Sequence, residues 1–144
     1  MLMVNEAGLN LIKAFEGFAE TPYLDAAGLP TIGYGHLIKP EERFDVISRA
    51  EAEDMLQIDI QVAAKAVGRL INVPLTENQF AALVSFTFNL GSAALQRSTL
   101  RQCVNREEHE DAAQEFMRWV WGGGRKLKGL IFRRRAEVEL YLTE

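Results

Sequence analysis

From Ser48 to Leu70 the chain runs without proline and meets its first glycine only at Gly68. Ser48-Arg49-Ala50-Glu51 opens the stretch as a capping box, with serine and glutamate three apart, so that each side chain satisfies a backbone N–H at the start of a helix. Ala52, Met55, Leu56, Ile60, Ala63, Ala66, Val67 and Leu70 follow at helical spacing. The pattern predicts one long helix over about 49–70. In a chain of 144 residues such a helix is a strut, and it divides a single domain (1–144) into lobes over about 1–60 and 70–144.

The flanks are read against that strut. Asn5 precedes Glu6, Leu9, Ile12 and Phe15, the pattern of a capped amphipathic helix ending near Gly17. Pro22, Gly28, Pro30, Gly33 and Gly35 then break any helix, while Tyr23-Leu24 and Thr31-Ile32 are strand-forming pairs. A small hairpin is predicted over about 22–36, turning at Ala26-Ala27-Gly28. Beyond Pro74, Thr76 and Gln79 form a second capping box. The following run, from Phe80 to Phe88, is apolar nearly all round, as expected of a buried central helix stopped by Gly91. Shorter helices are predicted over about 93–105 and 108–119, then a flexible connection at Gly122-Gly123-Gly124 and a last helix over about 129–142. The fold class is α+β and mainly helical.

Composition removes several classes. With 48% apolar and 25% charged residues the chain is neither disordered nor fibrous. No apolar run approaches the roughly 18–20 residues that cross a bilayer, and Met1-Leu2-Met3-Val4 lacks the basic flank and apolar core of a secretory signal. The single cysteine, Cys103, forms no internal disulfide and reads as a small buried hydrophobe. With two histidines besides, a structural zinc site is not expected. The net charge of −4 hides an asymmetry. Arg118, Arg125, Lys126, Lys128, Arg133, Arg134 and Arg135 fall together with no acidic residue among them, which suits either an anionic partner or a solvated helix face. Gly122–Lys126 lacks the spacing of a phosphate loop, and no nucleophile-elbow serine exists. Trp119 and Trp121 read as packing anchors.

The polar residues of 16–36 carry the chemistry. Glu16 ends the first helix between Phe15 and Phe18, where apolar surface disfavours a charged carboxyl; Asp25 lies beside a turn, where a carboxylate is well solvated. Two carboxyls in contrasting settings are the minimum equipment for glycoside hydrolysis, although each is also an ordinary structural choice. The stretch FEGFAETPYLDAAGLPTIGYGHL, Phe15–Leu37, resembles the phage-type lysozymes of glycoside hydrolase family 24, the T4 and P22 group. Their pattern is a Glu, eight residues, an Asp or Cys, five residues and a Thr, then Ile-Gly-x-Gly-His; here it is met by Glu16, Asp25, Thr31 and Ile32-Gly33-Tyr34-Gly35-His36. The resemblance continues through Phe86–Gly91, Ser98-Thr99-Leu100, Gly129-Leu130 and Arg133-Arg134-Arg135.

The resemblance implies a lysozyme-like two-lobed fold and hydrolysis of the β-1,4 bond between N-acetylmuramic acid and N-acetylglucosamine in peptidoglycan. It implies Glu16 as general acid, with Asp25 and Thr31 holding a water on the opposite sugar face. The outcome is then inversion, with the carboxyls about 6.5–9.5 Å apart. It further implies Leu37, Phe88 and Thr99 as substrate contacts, an arginine of 133–135 near Glu16, and no metal or organic cofactor. His36 is expected to be structural, paired with a carboxylate of the N-terminal lobe. The implied role is lysis of a bacterial host by a monomer that binds glycan strands, not nucleic acid, and is not inserted in a membrane. It is expected to wait in the host cytoplasm for a holin-type membrane lesion. A lytic transglycosylase and a catalytically silent cell-wall-binding module are the rival readings; neither requires Glu16, Asp25 and Thr31 together.

Overall fold

A computed structural model of the chain describes residues 3–144, so the reading of a missing leader falls at Met1 and Leu2 outside the described residues. Helix α1 (Glu6–Glu16) begins where predicted, with the Asn5 side chain accepting the N–H of Gly8 at 3.0 Å. It stops at Gly17, whose φ of 69° and N–H bond to the Lys13 carbonyl end the helix sharply. A three-stranded antiparallel sheet follows, β1 (Ala19–Leu24), β2 (Pro30–Gly33) and β3 (His36–Leu37), in that order across the sheet. Tyr23 lies opposite Thr31, and Ile32 opposite His36. The sheet therefore exceeds the predicted hairpin by a strand. Gly33 and Gly35 both have positive φ and fold the chain back at Tyr34, turning into two strands what period-2 reading treats as one.

Helix α2 (Arg49–Leu70) is the predicted strut, with both halves of its capping box formed. Helix α3 (Glu77–Leu90) has the second complete capping box, and every residue from Phe80 to Thr87 is buried. The stretch predicted as one helix over 93–105 is two, α4 (Ser92–Arg97) and α5 (Thr99–Asn105). The break is Ser98: its hydroxyl donates to the Leu95 carbonyl at 2.8 Å and accepts the N–H of Arg101 at 3.0 Å, capping α5. Helix α6 (His109–Phe116) is shorter than expected. The glycine run is a tight hairpin rather than a loose connection: β4 (Trp121–Gly122) pairs with β5 (Arg125–Lys126), and Gly123 and Gly124 hold φ of 59° and 80°. Helix α7 (Lys128–Leu142) closes the chain.

Helix α3 is the axis of the core, packed against α1, α2 and α7. The α1 contact depends on Gly8, where an added Cβ would stand 2.9 Å from Val4 Cγ1 and closer still to Ala81. Asn5 reinforces it by donating to Asn78 at 2.9 Å. Although first in the chain, α1 thus sits with the C-terminal helices, and it carries Glu16 into their company. The sheet packs instead on α2.

His36 fastens sheet to strut. Its Nδ1 meets Asp59 of α2 at 2.8 Å and its Nε2 meets Glu42 at 3.0 Å. Both ring nitrogens face carboxylates, so both donate and the ring is an imidazolium. Burial disfavours that charge, but the hydrogen bonds to Asp59 and Glu42 outweigh burial and raise the histidine above its ordinary value of 6.5. The Lys39 N–H, then His36, lower Glu42 below its ordinary 4.5. A raised histidine stabilises the fold fully below its unfolded value and loses that contribution as pH rises through the folded one; a lowered carboxyl contributes above its unfolded value and fails in acid. The cluster therefore works best at about pH 5–6.5. His36→Gln should cost about 2 kcal/mol at pH 5.5, and the gap in melting temperature from wild type should narrow steadily toward pH 8.5. A gap independent of pH would exclude the imidazolium.

Candidate active site

Glu16 ends α1 with its side chain 19% exposed. Its Oε2 accepts a hydrogen bond from Arg133 Nη1 at 2.6 Å, and the same guanidinium lies 5.9 Å from the Phe15 ring centre. The aromatic setting read from the sequence is thus shared with a cation, and the arginine that faces inward is Arg133. Arg134 is fully buried and pairs with Glu137, while Arg135 is exposed. The other side of the Glu16 carboxyl lies against the backbone of Gly35. A Cβ there would come within 2.9 Å of Cδ and would overlap Oε1. The second glycine of the Gly-x-Gly turn thus leaves room for a carboxyl as well as supplying a positive φ.

Asp25 and Thr31 form the second half of the site, and the peptide of Leu29 joins them. Asp25 Oδ1 accepts the N–H of Ala27 at 2.9 Å and of Leu29 at 2.8 Å, while the Asp25 N–H donates to the Leu29 carbonyl at 2.9 Å. The buried Thr31 hydroxyl donates to that same carbonyl at 2.9 Å. Among the described residues no donor bonds Asp25 Oδ2, and the Thr31 oxygen keeps its lone pairs. Tyr23, opposite Thr31 on β1, stands in the field of both carboxyls: burial raises its phenol first, and the charges of Glu16 and then Asp25 add to the rise. Sequence reading passed over Tyr23 because a half-exposed strand tyrosine carries no motif.

Leu37 and Phe88 line one cavity of about 350 Å³, which reaches Gly35 and so abuts the Glu16 carboxyl. Thr99 lines a different cavity, of about 480 Å³, with Trp119, Trp121, Arg97 and Arg118. Trp119 is a packing residue, edge-on to Phe86 at 5.6 Å. Trp121 is not: it is 58% exposed on β4, with the Lys126 ammonium 5.6 Å from its ring centre. Two of the seven clustered cations are internal, so the basic surface consists of Arg118, Arg125, Lys126, Lys128 and Arg135. Cys103 is buried, as expected. Among the described residues no group of His, Cys, Asp and Glu is arranged to hold a metal ion.

Residues 13–137 match the family model described as phage lysozyme. The chain belongs to the phage lysozyme family. It is 42% identical over 142 residues to the endolysin of Bacillus phage B103, covering 97% of this chain and 54% of the relative. It thus spans about half the length of that endolysin and of the Bacillus phage PZA endolysin. The endolysin of Salmonella phage P22 is 33% identical over 147 residues, covering 99% of this chain and all of the relative. Among solved structures, the muramidase domain of SpmX from Asticaccaulis excentricus superimposes with a TM-score of 0.90 at 36% identity, covering both chains completely. The fold of this family member is therefore lysozyme-like.

The two turn glycines make a controlled comparison. In Gly35→Ala the methyl group displaces the Glu16 carboxyl; were Glu16 the acid that its resemblance implies, a misplacement of about 1 Å would cost on the order of 100-fold in rate. In Gly33→Ala the new Cβ stands 3.3 Å from Ala52 Cβ and Ile47 Cδ1, and Glu16 is not among its nearest atoms. Both substitutions strain a positive φ by about 1–2 kcal/mol. Thermal melts should show similar losses for the two variants, whereas peptidoglycan-clearing assays should show a large loss of rate for Gly35→Ala alone.

Proposed function

We propose that this chain is a muramidase, hydrolysing the β-1,4 bond between N-acetylmuramic acid and N-acetylglucosamine in peptidoglycan with inversion at the anomeric carbon. The observation that carries the reading is the pairing of one carboxyl, Glu16, with a separate carboxylate–hydroxyl unit, Asp25 and Thr31, locked together through Leu29. The family membership and the muramidase domain among its structural neighbours support the same reading.

Glu16 is the general acid that protonates the glycosidic oxygen as the bond breaks. Arg133, already in contact with Glu16 Oε2, then stabilises the carboxylate left behind as the proton departs. On the other sugar face a water donates one hydrogen to Asp25 Oδ2 and the other to Thr31 Oγ1. Because the Thr31 hydrogen is already committed to the Leu29 carbonyl, the threonine meets the water as an acceptor. Both water hydrogens are then held, and an oxygen lone pair faces the anomeric carbon. Asp25 removes a proton as the water attacks. Leu37 and Phe88 form an apolar sugar-binding wall beside Glu16, and Thr99 a more distant contact. No cofactor takes part.

The proposed role is degradation of the bacterial cell wall in host lysis, by a monomer acting on glycan strands. No described helix is long and apolar enough to cross a membrane, and we propose that a membrane lesion made by another protein gives access to the wall.

Mass spectrometry of fragments released from purified sacculi tests the reaction. Muropeptides with free reducing ends are expected; 1,6-anhydro ends would instead establish transglycosylation, and no release would leave a binding module. Glu16→Gln should bind sacculi and melt near wild type while losing about 100–10,000-fold in rate. Wild-type turnover in that variant would remove Glu16 as the acid.

A further inference from the structure

Behind Glu16 lies a buried charged network for which the proposed reaction has assigned no role beyond Arg133 itself. Glu137 is 0% exposed, and its Oε2 accepts the Ser85 hydroxyl at 2.6 Å and Arg134 Nη2 at 3.1 Å. Arg134 Nε approaches Oε1 at 2.7 Å, and its Nη2 also donates to Asn89 at 2.7 Å. Arg133 Nε lies 3.4 Å from Glu137 Oε2, and Arg133 Nη2 reaches both the carbonyl and the hydroxyl of Ser85 at 3.4 Å. The single Ser85 hydroxyl hydrogen is given to Glu137, so its lone pairs face Arg133. Glu137 thus meets donors at both oxygens; burial pushes the carboxyl up, and the charges of Arg134 and then Arg133 act against that rise.

We propose that Glu137, acting with Ser85, is a positioning residue for Glu16: it fixes the orientation of Arg133 and takes part of its charge, and so sets how strongly that guanidinium engages the catalytic carboxyl. The proposal rests on Glu16 being the general acid. Two cations, Arg133 and Arg134, are shared between two anions, Glu16 and Glu137. Arg133 bridges both anions, whereas Arg134 serves Glu137 alone. Removing either remote charge therefore redistributes Arg133. Without Glu137, Arg133 turns its whole charge on Glu16; without Arg134, Glu137 draws Arg133 away. The charged and titratable groups that face Glu16 from its neighbours are Arg133 on α7, Tyr23 on β1 and Asp25 beyond it. Around Glu137, α7 supplies the two arginines and α3 only the neutral Ser85 and Asn89.

The test is the titration of the Glu16 side-chain carbon by NMR in uniformly folded protein, together with the pH dependence of kcat/KM. Glu137→Gln should move the Glu16 midpoint and the basic limb of the rate profile to lower pH, and Arg134→Met should move both to higher pH, each by about half a unit or more. Glu137→Asp, which keeps the charge, should restore the wild-type limb. A structural role alone lowers melting temperature in all three without opposed shifts. Midpoints that stay put in folded variants, or that move in one direction for both, would overturn the proposal. Should the buried-charge variants not fold, Ser85→Ala decides. It keeps every charge, and should lower kcat about fivefold, the value of one hydrogen bond, at unchanged KM. Unchanged kcat would overturn the proposal. The NMR titration needs no substrate, so a protein inactive on sacculi would refute the muramidase reading and still report on the network.

Discussion

The contact between Arg133 and Glu16 joins residues 117 positions apart, and much of the architecture serves to make it possible. Helix α7 presents Arg133 from one side of α3, and α1 presents Glu16 from another. The α1 helix can approach α3 closely because Gly8 has no side chain to meet Ala81. Gly17 then stops α1 so that Glu16 sits at its open end, and Gly35 leaves the space its carboxyl fills. Arg133 is itself buried, between Glu16 and Glu137. The pair to which the proposed reaction gives a catalytic part also joins the first helix to the last.

The other half of the site is built by different means. Asp25 and Thr31 are six positions apart, and their geometry comes from local backbone bonds through Leu29. Their sheet is attached to the strut α2 by the buried imidazolium of His36 between Glu42 and Asp59. Glu16 thus belongs to the helical core, and Asp25 and Thr31 belong to a small sheet clamped on α2. The distance between them depends on how the sheet sits on that helix. Under the proposed reaction, substrate held between two separately anchored units is attacked from one side and protonated from the other.

Local features of this arrangement were legible in the sequence, and distant ones were not. Both capping boxes marked true helix starts, since their chemistry is complete within four residues. The Glu16, Asp25 and Thr31 pattern was readable as a resemblance because it lies within one short stretch. The inward arginine was not: three in succession differ only in their angle around a helix, and the partner that selects Arg133 lies at the far end of the chain. Ser98 hid a helix break because Leu95, Leu100 and Val104 carry an apolar series past it and its hydroxyl bonds only show in three dimensions. Gly122-Gly123-Gly124 read as slack, yet two positive φ values on Gly123 and Gly124 make a tight hairpin that leaves Trp121 exposed. Glu137 carried no motif at all, and its part emerges only from the burial of both arginines beside it.

The central claim is that Glu16 and the Asp25–Thr31 pair act on opposite faces of one sugar bond in a single displacement. Proton NMR of the newly formed reducing end, recorded within the first minutes before mutarotation, tests it most directly. The account predicts that the α-anomer of the N-acetylmuramic acid product appears first and equilibrates afterwards. Initial accumulation of the β-anomer would show a double displacement and contradict the water-holding role of Asp25 and Thr31.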